Sequence, residues 1–333
     1  YVYRDDNCRV RPGHQAPRTA IIFFGMIRNM SASLDGLEEH ALKPLRRRGG
    51  VDVHVHAMHG DSTVPAHSSH DSPLAPWPAD DIERLSPCSY AIATQSRVDA
   101  EQQFAERIRA TYLHSTVGVA TYYDTPTMFN LFRSTYSLSR AGLLVEAREN
   151  RTGVRYEQVV ILRPDATFLA PVAWDALRAG TRALLVPNHA HWLGANDRFA
   201  FGDRDSVGWY WREYDEHMRG ALTNGAIVDF GWSEDLMCRH LVAKPLPALA
   251  IGVLPTCLVR VRSNGSLTLS EFQDPRRQVE CPGLLKLDNF ANLTNACPQP
   301  PPRDAICSMR CYEMLTNPAE KESVLLDSER CCI

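Results

Sequence analysis

Three histidines fall within six positions of the 333-residue sequence, His54, His56 and His59, with Asp52 before them and Asp61 after. In an extended strand side chains alternate, so Asp52, His54, His56 and Met58 share one face while Val51, Val53, Val55 and Ala57 share the other. Two imidazoles at i, i+2 on a strand end can chelate one ion, and a bound ion can activate water. The competing expectation is a strand whose histidines are hydrogen-bonded or half-exposed, and it is favoured. The later histidines are few: His189 and His191 follow a strand, and His217 and His240 sit in helix-like segments.

A second group carries acids at element ends. The apolar run in "YEQVVILRPDATFL" stops abruptly at Arg163-Pro164-Asp165. An aspartate there stands at the carboxyl edge of a parallel sheet, where open α/β folds bind ligands. Asp165 could hold Mg²⁺ or Mn²⁺ against a diphosphate, and Arg163 offers a guanidinium fork for phosphate. An Arg163–Asp165 pair that merely closes the strand end is equally expected. Asn196-Asp197 can face a ligand or only make a turn before "RFAFG". Glu234-Asp235 can supply a general base, or only complement a helix dipole behind Ser233 as cap. Trp192, Trp209, Trp211 and Trp232 can stack on sugars, although burial is the commoner fate of tryptophan.

The elements that must position these groups follow from periodicity. "RTAIIFFGM" is a continuous apolar run that suits a strand buried on both faces. "SLDGLEEHALKPLRRRGG" predicts a helix capped by Ser33, with Leu34, Leu37, Ala41 and Leu45 inward, Pro44 limiting its regular part and Gly49-Gly50 as stop. With "VDVHVHAM" this makes a βαβ unit and implies a parallel sheet. Residues 60 to 80 read as a loop. "DAEQQFAERIRATYL" and "TMFNLFRSTYSLSRAGLLVEAREN" predict helices, the second with Phe129, Phe132, Tyr136, Leu143 and Ala147 near one stripe. "RALLVPN" predicts a strand and "WSEDLMCRHLVA" a helix.

A net charge of -3 with mixed signs gives no footprint for nucleic acid. Ten cysteines, eight at or after Cys238, suit disulfides, since Cys307 and Cys311 form the one close pair of zinc type. Four sequons, at Asn29, Asn150, Asn264 and Asn292, point with them to the secretory pathway: Golgi or endoplasmic-reticulum lumen, or secretion. No apolar run approaches the ~20 residues of a bilayer span, so a membrane is expected only through an anchor outside this chain. Beyond about residue 263 the Cys- and Pro-rich composition predicts a tail packed on the main domain by disulfides.

Taken in order, "FFGMIRNM", "VDVHVHAM", "TMFNLFRSTYSLSRAGLL", "VVILRPDATFL", "NDRFAFGDRDSVGWY" and "SEDLMCRHL" resemble a family of GT-A glycosyltransferase-like proteins of algae, plants, large viruses and bacterial surface-polysaccharide clusters. The resemblance spans about residues 18 to 245. It implies a GT-A-like α/β domain over residues 18–262, between an N-terminal extension (1–17) and a C-terminal extension (263–333). The implied activity is transfer of a hexose or pentose from a nucleotide sugar, UDP-linked, to a glycan or glycoprotein hydroxyl. Gly25 and Arg28 would lie at the nucleotide end of the first strand, and Asp165 would take the metal-holding place of a D-x-D motif. Arg163 stands where that motif's first aspartate contacts ribose, a departure that bears on metal dependence. Asn196 and Asp197 would face sugar or acceptor, with Asp235, then Glu234, as general base. The rival resemblance is to amidohydrolase barrels, whose metal site opens with the D-x-H-x-H that Asp52, His54 and His56 spell, although no eight-fold strand–helix alternation accompanies it. A further rival is a secreted carbohydrate-binding protein that keeps the fold without catalysis.

Overall fold

The computed structural model describes residues 2–5, 8, 19–27, 30–60, 79–114, 125–176, 182–187, 196–215, 233–242, 251–254 and 256–268. Strand β1 (Val2–Asp5) precedes β2 (Thr19–Met26). Helix α1 (Ser31–Leu37) runs through a π-helical turn (Glu38–Leu42) into α2 (Lys43–Arg48), and β3 (Val51–His59) follows. Pro44 has no N–H to donate, and the carbonyl of His40, four residues back, accepts instead from Val172 N–H at 3.2 Å, so the helix continues through it. Ser33 is not the cap: α1 begins two residues earlier, and Ser33 Oγ bonds the carbonyls of Met30 and Pro164, tying the helix to the segment after the central strand.

Next come α3 (Ala79–Arg84), β4 (Ser89–Thr94), α4 (Gln95–Glu101), α5 (Phe104–His114) and the 28-residue α6 (Thr125–Thr152). The single helix expected over "DAEQQFAERIRATYL" is broken at Gln103, which has a left-handed φ of 53°. Beyond α6 lie β5 (Gln158–Leu162), β6 (Ala166–Phe168), β7 (Leu184–Pro187), β8 (Phe199–Asp203) and α7 (Arg204–Trp211). Helix α8 (Ser233–Val242) leads to β9 (Ile251–Leu254), β10 (Leu258–Val261) and β11 (Leu267–Thr268).

Among the described residues, eight strands form one sheet in the order β1-β4-β3-β2-β5-β8-β7-β9. Strands β4, β3, β2 and β5 are parallel, with Thr19 opposite both Val51 and Gln158; β8 runs antiparallel between β5 and β7, and β9 returns parallel to β7. The chain is therefore α/β with a mostly parallel, helix-flanked sheet of Rossmann-like character. The sheet is open, which separates it from the amidohydrolase barrel. A small second sheet joins β11, β10 and β6.

Burial explains the order. Ala20, Ile22 and Phe24 of β2 pack on the face covered by α6, α7 and α8, whereas Ile21 and Phe23 pack on the face covered by α1 and α2. Each isoleucine or phenylalanine so removed from water contributes about 1.5–3 kcal/mol, so a strand apolar on both sides belongs at the centre. The inward stripe of α6 differs from expectation after Tyr136. Leu143 and Ala147 face solvent, and the buried line continues through Leu138, Ala141, Val145 and Arg148.

Within the expected N-terminal extension, β1 pairs antiparallel with β4 as the sheet's edge, and Cys8 is disulfide-bonded to Cys88 just ahead of β4. Cys257 is also disulfide-bonded. Residues 269–333, most of the Cys-rich tail, lie outside the described residues. Among the described residues no helix is long and apolar enough to cross a membrane.

Candidate functional site

A cleft of about 360 Å³ opens at the carboxyl edge of the sheet. It lies at the topological switch point: β3 and β4 extend to one side of β2, β5 lies on the other, and the ends of β2 (Phe24, Gly25, Met26), β3 (Met58) and β5 (Arg163) all reach it. Helix crossovers diverge at such a point and leave a crevice between them. The N-terminal half of α6 gives one wall, including Thr127, Asn130 and Ser134, and the N-terminus of α8 gives part of another.

Gly25 closes β2 with φ of 105°, a conformation L side chains rarely adopt, and its N–H donates to Ser137 Oγ at 2.8 Å. Ser137 Oγ donates in turn to the His56 carbonyl at 2.9 Å. Its one hydrogen thus being used, it accepts from His56 Nδ1–H at 2.8 Å, which leaves Nε2 as the bare nitrogen. His56 is buried, its Nε2 has no hydrogen-bond partner, and burial pushes its pKa down to about 3, helped by the Arg140 charge. His56 therefore ties β3 to α6 behind the cleft wall.

His54 closes a second network. Tyr156 Oη donates to Asp52 Oδ2 at 2.7 Å and lies 3.1 Å from His54 Nε2, while Ser89 Oγ lies 2.7 Å from His54 Nδ1. Arg148 completes it, with Nε 3.4 Å from Asp52 and Nη2 2.6 Å from the Cys8 carbonyl. Burial, then the Asp52 charge, raises the Tyr156 phenol pKa. The two imidazoles of the H-x-H are thus engaged in separate internal networks on the α6 face. Among the described residues the one trio of closely spaced ligand-type side chains is Cys8, Asp52 and Cys88, and two of these are the disulfide.

Arg163 and Asp165 form the expected pair, with Nε and Nη2 of the arginine each 2.9 Å from a different carboxylate oxygen. A second guanidinium joins them: Arg260 on β10 reaches Asp165 Oδ2 at 3.1 Å. Asp165 is 1% exposed and does not line the cleft, whereas both arginines do. This corrects the expectation of Asp165 as a metal ligand. Its two oxygens are held by guanidinium groups, and the residues present do not fit Mn²⁺ or Mg²⁺ at this position.

Asn196 is fully buried, and its Oδ1 accepts from the N–H groups of Arg198 and Phe199 at 2.9 and 3.2 Å. It shapes the turn into β8 and is not among the residues that line the cleft. Asp197 does line the cleft, 3.7 Å from Arg198 Nε. Glu234 lines it too, accepting from Ser233 Oγ–H at 3.0 Å. The pKa of Glu234 is raised well above the usual carboxylate range, by burial first and the Asp197 charge second. Of Asp235, only the backbone in α8 belongs to the described residues. Arg28 lies outside them.

Glu213, just beyond α7, was not anticipated. It is 2% exposed, lines the cleft, and its Oε1 has no hydrogen-bond partner; burial and Asp197 raise its pKa well above the usual range. A lone acid inside the aromatic run "GWYWREY" was the available signal. Arg198, Arg260 and Arg262 also line the cleft, and their signal was weaker still: basic residues in and beside ordinary strands. Trp211 is buried with its ring 4.5 Å from the Arg204 guanidinium carbon, and Trp209 is partly buried against the core. His240 bonds the Trp209 carbonyl at 2.6 Å. His189, His191, His217, Trp192 and Trp232 lie outside the described residues. Of the sequons, Asn150 and Asn264 are exposed, and Asn29 and Asn292 lie outside the described residues.

Compared with known proteins, the chain matches no protein-family model and no curated protein.

Proposed function

We propose that the chain is a glycosyltransferase of GT-A type that takes a nucleotide sugar, UDP-linked, in the switch-point cleft and transfers the sugar to a glycan or glycoprotein hydroxyl. The observation that carries this reading is the juxtaposition of guanidinium groups (Arg163, Arg198, Arg260, Arg262) with buried carboxyls (Glu213, Glu234) in one crevice at the carboxyl edge of a mostly parallel sheet. Glycosyl transfer needs both. As the acceptor oxygen attacks the anomeric carbon, the bond to the diphosphate breaks and its electron pair leaves with the phosphate, where positive groups stabilise it. The acceptor proton must go to a base, and a buried carboxyl serves once it has lost its own proton, so the proposed base is the ionised form of Glu234, which burial disfavours and rising pH populates. Glu234 takes this role among the described side chains, next to Asp235 in sequence. The sequons and disulfides support a lumenal or secreted setting.

Thermal-shift measurements with UDP, GDP and CMP, followed by a donor-hydrolysis and transfer assay on the nucleotide that stabilises, test the reading. Stabilisation by one nucleotide and turnover of its sugar are expected. No shift with any of them at millimolar concentration counts against it, and binding without turnover would favour a non-catalytic carbohydrate-binding protein.

A further inference from the structure

Resting on that reading of the cleft, we infer that the diphosphate of the ligand is bound by guanidinium groups set by Asp165, and that these arginines occupy the role a divalent cation would otherwise fill.

Asp165 is the organising residue. Arg163 approaches it through Nε and Nη2, and Arg260 approaches Oδ2 from β10, so one buried carboxylate fixes two guanidinium planes at the cleft wall. A guanidinium carries five N–H groups, and Arg163 spends two on this fork, which leaves further donors on a group that lines the cleft. Arg262, two residues after Arg260 and so on the same side of an extended chain, lines the cleft with its Nε held by Thr268 Oγ1 at 2.9 Å. Arg198 adds a fourth from the turn before β8.

The charge balance agrees. Burial favours the neutral form of the Glu213 and Glu234 carboxyls. Four guanidinium groups, Arg163, Arg198, Arg260 and Arg262, line the cleft beside Asp197, while Arg133, also in the wall, is paired with Asp99. A sugar-linked diphosphate carries two negative charges. A divalent cation placed beside Asp165 would meet the Arg163 and Arg260 guanidinium groups, and like charges in a poorly solvated site repel strongly.

Calorimetric titration of the full chain with UDP and with inorganic pyrophosphate, in EDTA and in Mn²⁺, tests this. Both ligands should bind in EDTA with affinity within about threefold of that in Mn²⁺, and Arg260→Gln should weaken both by about tenfold or more, the loss expected for a charged hydrogen bond. Arg262→Gln, which leaves Asp165 paired on both oxygens and therefore the fold intact, should do the same if Arg260→Gln fails to fold. UDP binding that appears only on adding Mn²⁺ overturns the inference and leaves the nucleotide reading standing. Pyrophosphate binding in EDTA without any UDP binding upholds the anion site and overturns the nucleotide reading. Binding of neither overturns both.

Discussion

Glu213 and Asp197 share a wall of the cleft, and the Asp197 charge adds to burial in holding the Glu213 carboxyl in its protonated form. Glu234 responds to the same neighbour. The folded state thus binds protons at two positions where the unfolded chain has released them, which links stability to pH.

Because both folded-state values are raised, their contribution is fully present below the ordinary glutamate range and is lost as pH rises toward the folded values. The melting temperature should therefore fall between pH 5 and 8. Glu213→Gln, which keeps shape and removes the titration, should flatten that slope. Parallel profiles for wild type and variant would show that Glu213 is not the linked group.

His56 works in the opposite direction. Its folded-state pKa of about 3 lies below the ordinary histidine value, so its contribution is present above about 6.5 and is lost as pH falls through that interval, by up to about 1.4 kcal/mol per pH unit. The direct observation is the His56 ring resonance, which should stay fixed between pH 8 and 5. A midpoint near 6.5 would mean that the imidazole is solvated.

Removing Asp165 should damage the fold rather than a metal site. Asp165→Ala leaves the Arg163 and Arg260 guanidinium groups without their shared carboxylate, a change that costs about 3–5 kcal/mol for a buried pair. Urea denaturation measures it. Full stability together with a lost response to Mn²⁺ would restore the metal assignment.

Gly142 on α6 packs under Trp211, where a Cβ would lie inside the contact radius of the indole carbons. Gly142→Ala should cost about 1–3 kcal/mol by overpacking, despite alanine's better helix propensity. A neutral or stabilising result in thermal denaturation would show that Trp211 moves freely there.

The sequence displayed what is local. Ile21 to Phe24 form a run too apolar for an edge, and the alternation of Asp52, His54 and His56 with Val53 and Val55 assigned the two faces of β3 that the structure shows. The end of β5 at Arg163 was equally visible. What was not visible depends on partners distant in the chain. Nothing near Asp165 announces Arg260, 95 residues on, yet that contact decides between metal ligand and arginine anchor. Glu213 is one acid among aromatics until Asp197 is folded against it. The reversal of β8 leaves no mark on its own pattern, since a strand buried on both faces reads the same in either direction.

The adjacency of β2 and β5 fixes when the crevice can exist during synthesis. Thr19 lies opposite Gln158 and Phe23 opposite Leu162, so a nascent chain that has emerged only through β4 holds four neighbouring strands and an unpaired apolar edge on β2. That edge waits for more than sixty further residues, α6 among them, before β5 covers it. An arrested or prematurely terminated product is thus a sticky half-sheet with no binding crevice, a species for chaperones to shield rather than a smaller version of the same protein.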